Sequence, residues 1–212
     1  YAYDGQNWRT ITKSYTAGTL SETRHYYYTK DWQCLEEQVV GGLGPVLNRQ
    51  YVWGLRYIDD LILRDRDTTG DEYTDERLYA LQDANWNVTA IVDDGGDVEE
   101  RYRYSAYGTP TFLQPDFSPK TPNESEFDWQ TLYCGYRFDE DSGLYCVRYR
   151  YLNAVLGEWI TRDPVKYDAG LNLYNYCTTM PIQRVDPLGL WEMRDLARKV
   201  CCCPASRKYI PL

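Results

Sequence analysis

Histidine is almost missing: His25 is the only one among 212 residues. That argues against a histidine-based triad, a histidine metal site and a cluster of histidines acting as a pH switch. The seven cysteines (Cys34, Cys134, Cys146, Cys177 and the run Cys201-Cys202-Cys203) contain no CxxC pair. The spacing of a structural zinc site is therefore absent, and neither a metal nor a cofactor is expected. Cys134 and Cys146 could meet across a hairpin, yet an odd total defines no disulfide framework. No run approaches the roughly 18 apolar residues of a membrane helix. The first residues, Tyr1-Ala-Tyr-Asp4, are neither an initiator methionine nor a basic-then-apolar leader. The chain reads as cut from a longer one, or as carrying its targeting information elsewhere. Basic residues are outnumbered, 23 Lys+Arg against 32 Asp+Glu, a net charge of −9. This argues against nucleic acid as the main partner.

What is abundant is tyrosine, 22 against 4 phenylalanines. Short β-prone runs dominate: Tyr26 to Tyr28, Val46 to Tyr57, Asn87 to Val92, Arg101 to Tyr104 and Leu144 to Tyr151. Turn residues separate them, as at Asp4-Gly5, Asp93-Asp94-Gly95-Gly96 and Asp141-Ser142-Gly143. In Tyr145 to Tyr151 the residues Tyr145, Val147, Tyr149 and Tyr151 share one face. Arg148 and Arg150 fall on the other, the alternation of a half-exposed antiparallel strand. Glu76 to Gln82 reads equally as a helical turn or a strand, and Trp191 to Val200 is the clearest helix candidate.

Pro110, Pro115, Pro119 and Pro122 sit among polar residues, so 112–130 is expected to be a long surface loop dividing the chain. From Trp191 onward five basic and two acidic residues give +3, leaving −12 on the preceding 190. Tyr1 to Thr10 is echoed by Tyr26 to Leu35 as an aromatic strand, an acidic turn and another strand. Arg103 to Pro110 and Tyr136 to Leu144 continue the theme. Such hairpins are stable only when stacked in an array.

These residues resemble a known family. Tyr1-Ala-Tyr-Asp-Gly-Gln-Asn-Trp-Arg9 resembles the tyrosine–aspartate (YD) repeat of RHS proteins. Gly135 to Asn153, Leu156 to Pro164, Gly170-Leu-Asn-Leu-Tyr-Asn-Tyr176 and Val185-Asp-Pro-Leu-Gly-Leu190 resemble the RHS repeat-associated core domain. The resemblance implies a mainly β fold: antiparallel hairpins of a spiralling shell, a partial barrel or open curved sheet, with a short helical C-terminal tail. It implies YD hairpins over 1–111, the Pro-rich loop at 112–130, a core domain over 131–190 and a variable tail over 191–212. It also implies a secreted or cell-surface location, and upstream repeats or an encapsulated C-terminal peptide as partners.

In RHS toxins an aspartyl autoprotease within the core cuts after the Leu of Asp-Pro-x-Gly-Leu. Matched residue by residue, the dyad is Asp163 and Asp186, 23 positions apart, with Arg162 as the adjacent basic residue. The cut bond joins Leu190 to Trp191. The first motif departs from the family pattern, reading Asp163-Pro-Val-Lys166 where many members have glycine in fourth place. Asp168 is at most an outer-shell acid.

The chemistry also follows from the residues. Two carboxylates held close together do not both ionise cheaply, so one supplies a base and the other an acid. A proline after each aspartate fixes extended backbone there, and Gly189 permits a sharp turn at the scissile bond. Against this stands the plain reading that Asp-Pro opens many turns. The tail, 22 residues long, is shorter than a domain with its own core, which fits a degenerate copy or a cap without its effector. The competing function is a non-catalytic extracellular interaction module for adhesion or glycan binding, as in teneurin-like shells. Either reading leaves sheet edges through which the chain is expected to self-associate.

Overall fold

A computed structural model describes residues 1–6, 8–41, 44–166 and 171–190, together with the backbone of Met193–Arg194. Its first half is organised by one repeated turn. Asp4, Thr29, Asp83, Asp93 and Ser105 each donate a backbone N–H to the carbonyl four residues on, at 2.8 to 3.0 Å. Each also accepts that residue's N–H on its own side-chain oxygen, at 2.8 to 3.2 Å. Short oxygen-bearing side chains close such turns without help from the rest of the fold.

Between and beyond these turns run ten strands: β1 (Ala2–Tyr3), β2 (Arg9–Thr16), β3 (Thr19–Tyr28), β4 (Cys34–Gly41), β5 (Gly44–Trp53), β6 (Leu61–Arg66), β7 (Glu76–Gln82), β8 (Val88–Val92), β9 (Val98–Tyr104) and β10 (Pro110–Leu113). They pair in chain order as one antiparallel sheet, so every connection is a hairpin. Glu76–Gln82 is thus a strand. A second antiparallel sheet holds β11 (Arg137–Asp139), β12 (Leu144–Val147), β13 (Arg150–Asn153) and β14 (Glu158–Trp159). A last ladder pairs β15 (Arg184–Val185) with β16 (Met193–Arg194). The tail helix expected over Trp191 to Val200 therefore gives way to extended backbone at Met193–Arg194, and the remainder of that stretch lies outside the described residues. Among the described residues no helix is long and apolar enough to cross a membrane.

The two large sheets meet through tyrosines. Tyr133, Tyr136 and Tyr145 are buried with ring centroids 6.0 to 6.5 Å apart. Their hydroxyls do not gather at a solvated rim but reach backbone carbonyls inside. Tyr145 Oη donates to the Gly108 carbonyl at 2.7 Å and Tyr133 Oη to the Ala106 carbonyl at 3.1 Å. Tyr28 and Tyr104 likewise donate to the carbonyls of Arg9 and Val88. A phenylalanine would leave those carbonyls bare, which accounts for the preference for tyrosine.

The proline-rich segment is largely exposed, as at Pro115, Pro119 and Pro122, but it is anchored inward at two points. Lys120 and Trp129 within it are buried, and Lys120 Nζ pairs with the fully buried Glu100 at 2.9 Å. The segment also satisfies the free edge of β10. Lys120 N–H donates to the Phe112 carbonyl, and Phe112 N–H donates to Asn123 Oδ1. One of the two sheet edges expected to be open is thereby covered, and the other, β1, is two residues long. Cys34, Cys134, Cys146 and Cys177 are free thiols, so the Cys134–Cys146 pairing is not formed.

Candidate functional site

The two Asp-Pro motifs fold alike. Asp163 and Asp186 each open a turn whose second residue is proline. The aspartate carbonyl accepts the N–H three residues on, from Lys166 at 3.1 Å and from Gly189 at 3.2 Å. The fourth position has positive φ in both, +60° at Lys166 and +70° at Gly189. Lys166 thus takes the left-handed conformation that glycine would adopt freely. At Gly189 glycine is also needed for space, since a Cβ would lie 2.8 Å from the Val147 carbonyl oxygen.

Neighbouring elements present both side chains inward. Asp163 N–H donates to the Leu173 carbonyl at 3.0 Å, and its Oδ1 accepts Val165 N–H at 2.9 Å. Asp186 N–H donates to Tyr136 Oη at 3.2 Å. Both aspartates are buried, 7% and 3% exposed.

A residue the sequence pattern assigned to solvent joins them. Arg150 opens β13, and its Nη1 lies 3.0 Å from Asp163 Oδ2 while its Nη2 donates to Asp186 Oδ2 at 3.0 Å. Its Nε donates to the Gly189 carbonyl, and its guanidinium lies 4.3 Å from the Trp159 ring centroid. Burial pulls this guanidinium below its ordinary pKa, against the raising influence of Asp186 and Asp163. The period-two pattern fails because the strand ends at Val147 and restarts at Arg150. Arg148 and Tyr149 between them form a turn, which buries both arginines and leaves Tyr149 40% exposed.

Arg162 is exposed and lines a shallow surface groove with Leu171, Asn172, Leu173 and Tyr174. The guanidinium on the carboxylates is Arg150's instead. Leu190 is half-buried, and its N–H donates to Asp186 Oδ1 at 2.9 Å. Trp191 and Asp168 lie outside the described residues. Arg150 lay within a quoted motif, yet only a signal for strand termination could have set it apart from a solvent-facing charge.

No family model matches the chain. It is 34% identical over 120 residues to the tRNA(Glu)-specific nuclease WapA of Bacillus subtilis subsp. natto, covering 55% of this chain and 5% of that protein. It is 41% identical over 92 residues to the toxin protein Tse5 of Pseudomonas aeruginosa, covering 43% of this chain and 7% of that protein. The crystal structure of TcdB2-TccC3 superposes with a TM-score of 0.59 at 17% identity, covering 89% of this chain and 10% of that one. The chain therefore spans only a small part of each of these proteins. Because WapA is by name a tRNA nuclease, the exclusion of nucleic acid drawn from net charge is not supported. The chain thus shares the antiparallel β-shell fold of TcdB2-TccC3, with its sheets open, and shares sequence with the RHS-type toxins WapA and Tse5, in keeping with the resemblance to the RHS repeat-associated core.

Proposed function

We propose that the chain caps an RHS/YD-repeat shell and cuts itself once after Leu190, with Asp163 and Asp186 as an intramolecular aspartyl dyad. The observation that carries this reading is the shared guanidinium. Arg150 contacts both carboxylates, and Asp186 also holds the N–H of the residue that ends in the scissile bond.

Charge counting supports it. Two carboxylates and one guanidinium sum to −1, and one added proton makes this buried cluster neutral. Burial favours the neutral cluster, which holds one acid and one base side by side. The ionised carboxylate takes a proton from water as the water oxygen attacks the Leu190 carbonyl carbon. The protonated carboxyl donates to the carbonyl oxygen. The carboxyl that took the water proton then passes it to the Trp191 nitrogen as the tetrahedral intermediate collapses and the carbon–nitrogen bond breaks; the other carboxyl recovers its proton from the former carbonyl oxygen, so Trp191 departs as an amine and Leu190 keeps a carboxyl group. Arg150 orients the preceding peptide through the Gly189 carbonyl. Catalyst and substrate share one chain, so positioning replaces substrate affinity.

The partners of this reading are upstream repeats of a longer chain or an enclosed C-terminal peptide, in a secreted or cell-surface protein. Intact-mass measurement of the neutral-pH product tests it. A break between Leu190 and Trp191 is expected, absent in Asp163→Asn and in Asp186→Asn. A wild-type chain that stays whole and binds glycan or a protein partner supports the non-catalytic interaction module instead.

A further inference from the structure

We propose that Arg148 is a positioning residue that ties the Asp186–Leu190 segment to the first sheet, so that cleavage requires the two sheets to be docked. This rests on the autoproteolytic reading above and adds a condition to it.

The argument begins at the two-residue turn between β12 and β13. Arg148 there has φ +46°, a conformation costly for a residue with a Cβ and maintained only where the surroundings dictate it. Its guanidinium lies between two partners. On one side it forms a forked pair with Asp59, Nη2 to Oδ1 at 2.6 Å and Nη1 to Oδ2 at 3.2 Å. On the other, Nη1 donates to the carbonyl of Pro187. Tyr149 repeats the pattern: its N–H donates to the Leu188 carbonyl at 3.3 Å, and its ring lies 5.0 Å from that of Trp32.

Asp59 and Trp32 belong to the first sheet's connections, Trp32 between β3 and β4 and Asp59 between β5 and β6. Asp59 is buried, and its backbone fits so closely that a Cβ at Gly135 would lie 2.5 Å from its carbonyl oxygen. Two connections of the first sheet thus act through one turn on two successive carbonyls of the segment between Asp186 and the scissile bond. Arg148 reaches that segment through its backbone, which is why its role is positioning. When the first sheet is undocked, Arg148 loses the carboxylate that aims it, and the Pro187 carbonyl loses its tie to that sheet.

The test uses the 212-residue chain refolded from denaturant at neutral pH, with tail release followed by mass spectrometry. Arg148→Lys retains the charge but cannot span Asp59 and Pro187. It is expected to slow cleavage roughly 10- to 100-fold, the scale of a small misplacement of reacting groups. Asp59→Asn is also expected to slow it, and the double variant should be no slower than Arg148→Lys, because both act through one contact chain. Hydrogen exchange gives a readout independent of chemistry. In an Asp163→Asn background, Arg148→Lys should accelerate exchange at the Gly189 and Leu190 amides and leave the β11–β12 amides unchanged. Wild-type cleavage rates in Arg148→Lys overturn the inference while leaving the dyad intact. So do additive losses that follow melting temperature, or unchanged exchange at those two amides. A wild-type chain that never cuts overturns the autoproteolytic reading and this inference with it, whatever the exchange shows.

Discussion

Two buried ion clusters in this molecule are unbalanced in opposite senses, one by excess base and the other by excess acid. In the first, Glu37 is fully buried on β4 and surrounded by Arg24 at 2.9 Å, Arg137 at 2.6 Å and Arg49 at 3.5 Å, with Tyr51 Oη donating at 2.6 Å. In the second, Arg150 is the single base and Asp163 and Asp186 are the acids. Burial alone would raise the Glu37 pKa, but Arg137, Arg49 and Arg24 outweigh it and hold the carboxyl well below its ordinary value. An acid locked in its ionised form is a structural tie, and this one joins the first sheet to Arg137 on β11. The Arg150 cluster instead has one more acid than base. In the proposed reading, stoichiometry more than burial separates the structural cluster from the one suited to acid–base chemistry.

The largest expected effect comes from emptying the first cluster. Glu37→Gln leaves three guanidiniums with no buried carboxylate and should cost about 3–5 kcal/mol of unfolding free energy, measured by urea titration. Arginine does not deprotonate in any workable range, so this loss should hold between pH 5 and pH 9. Arg150→Leu should cost a similar amount near neutrality, but its loss should shrink toward pH 4, because the stranded aspartates can take up protons. Equal pH dependence in the two variants would break the comparison.

The wild-type pH profile carries a smaller effect. The depressed Glu37 pKa contributes stability that is fully present above the unfolded value near 4.5. That contribution is lost as pH falls through the folded value, so acid unfolding should set in well below pH 4.5 and earlier in Glu37→Gln. Tilting the charge balance without breaking contacts gives the smallest change. Lys166→Gly relieves the positive φ beside Asp163 and should stabilise the chain by about 1 kcal/mol, seen as a rise in melting temperature with both clusters intact.

The hairpins were legible because their signal is local. An aspartate, threonine or serine followed by its own i+4 hydrogen bond declares a turn without knowledge of the remaining fold. Asp163 and Asp186 were legible as a motif, since each opens its own proline turn. Arg150 was not, because its burial depends on β12 ending at Val147 and on Trp159 arriving from β14. The same non-locality hid the inward anchor of the proline-rich segment: its polar composition reads as solvated, and most of it is exposed, but Glu100 on β9 draws Lys120 inside. Lys166 shows the reverse: the sequence departed from the glycine pattern, and the backbone adopted the turn regardless.

The charge-excess account is tested most directly by the mass of the chain after refolding at pH 7. A fragment ending at Leu190, absent in both Asp163→Asn and Asp186→Asn and retained in Glu37→Gln under conditions where that variant is folded, is the predicted result. Cleavage that persists in either aspartate variant, or an uncut folded wild-type chain, would contradict it.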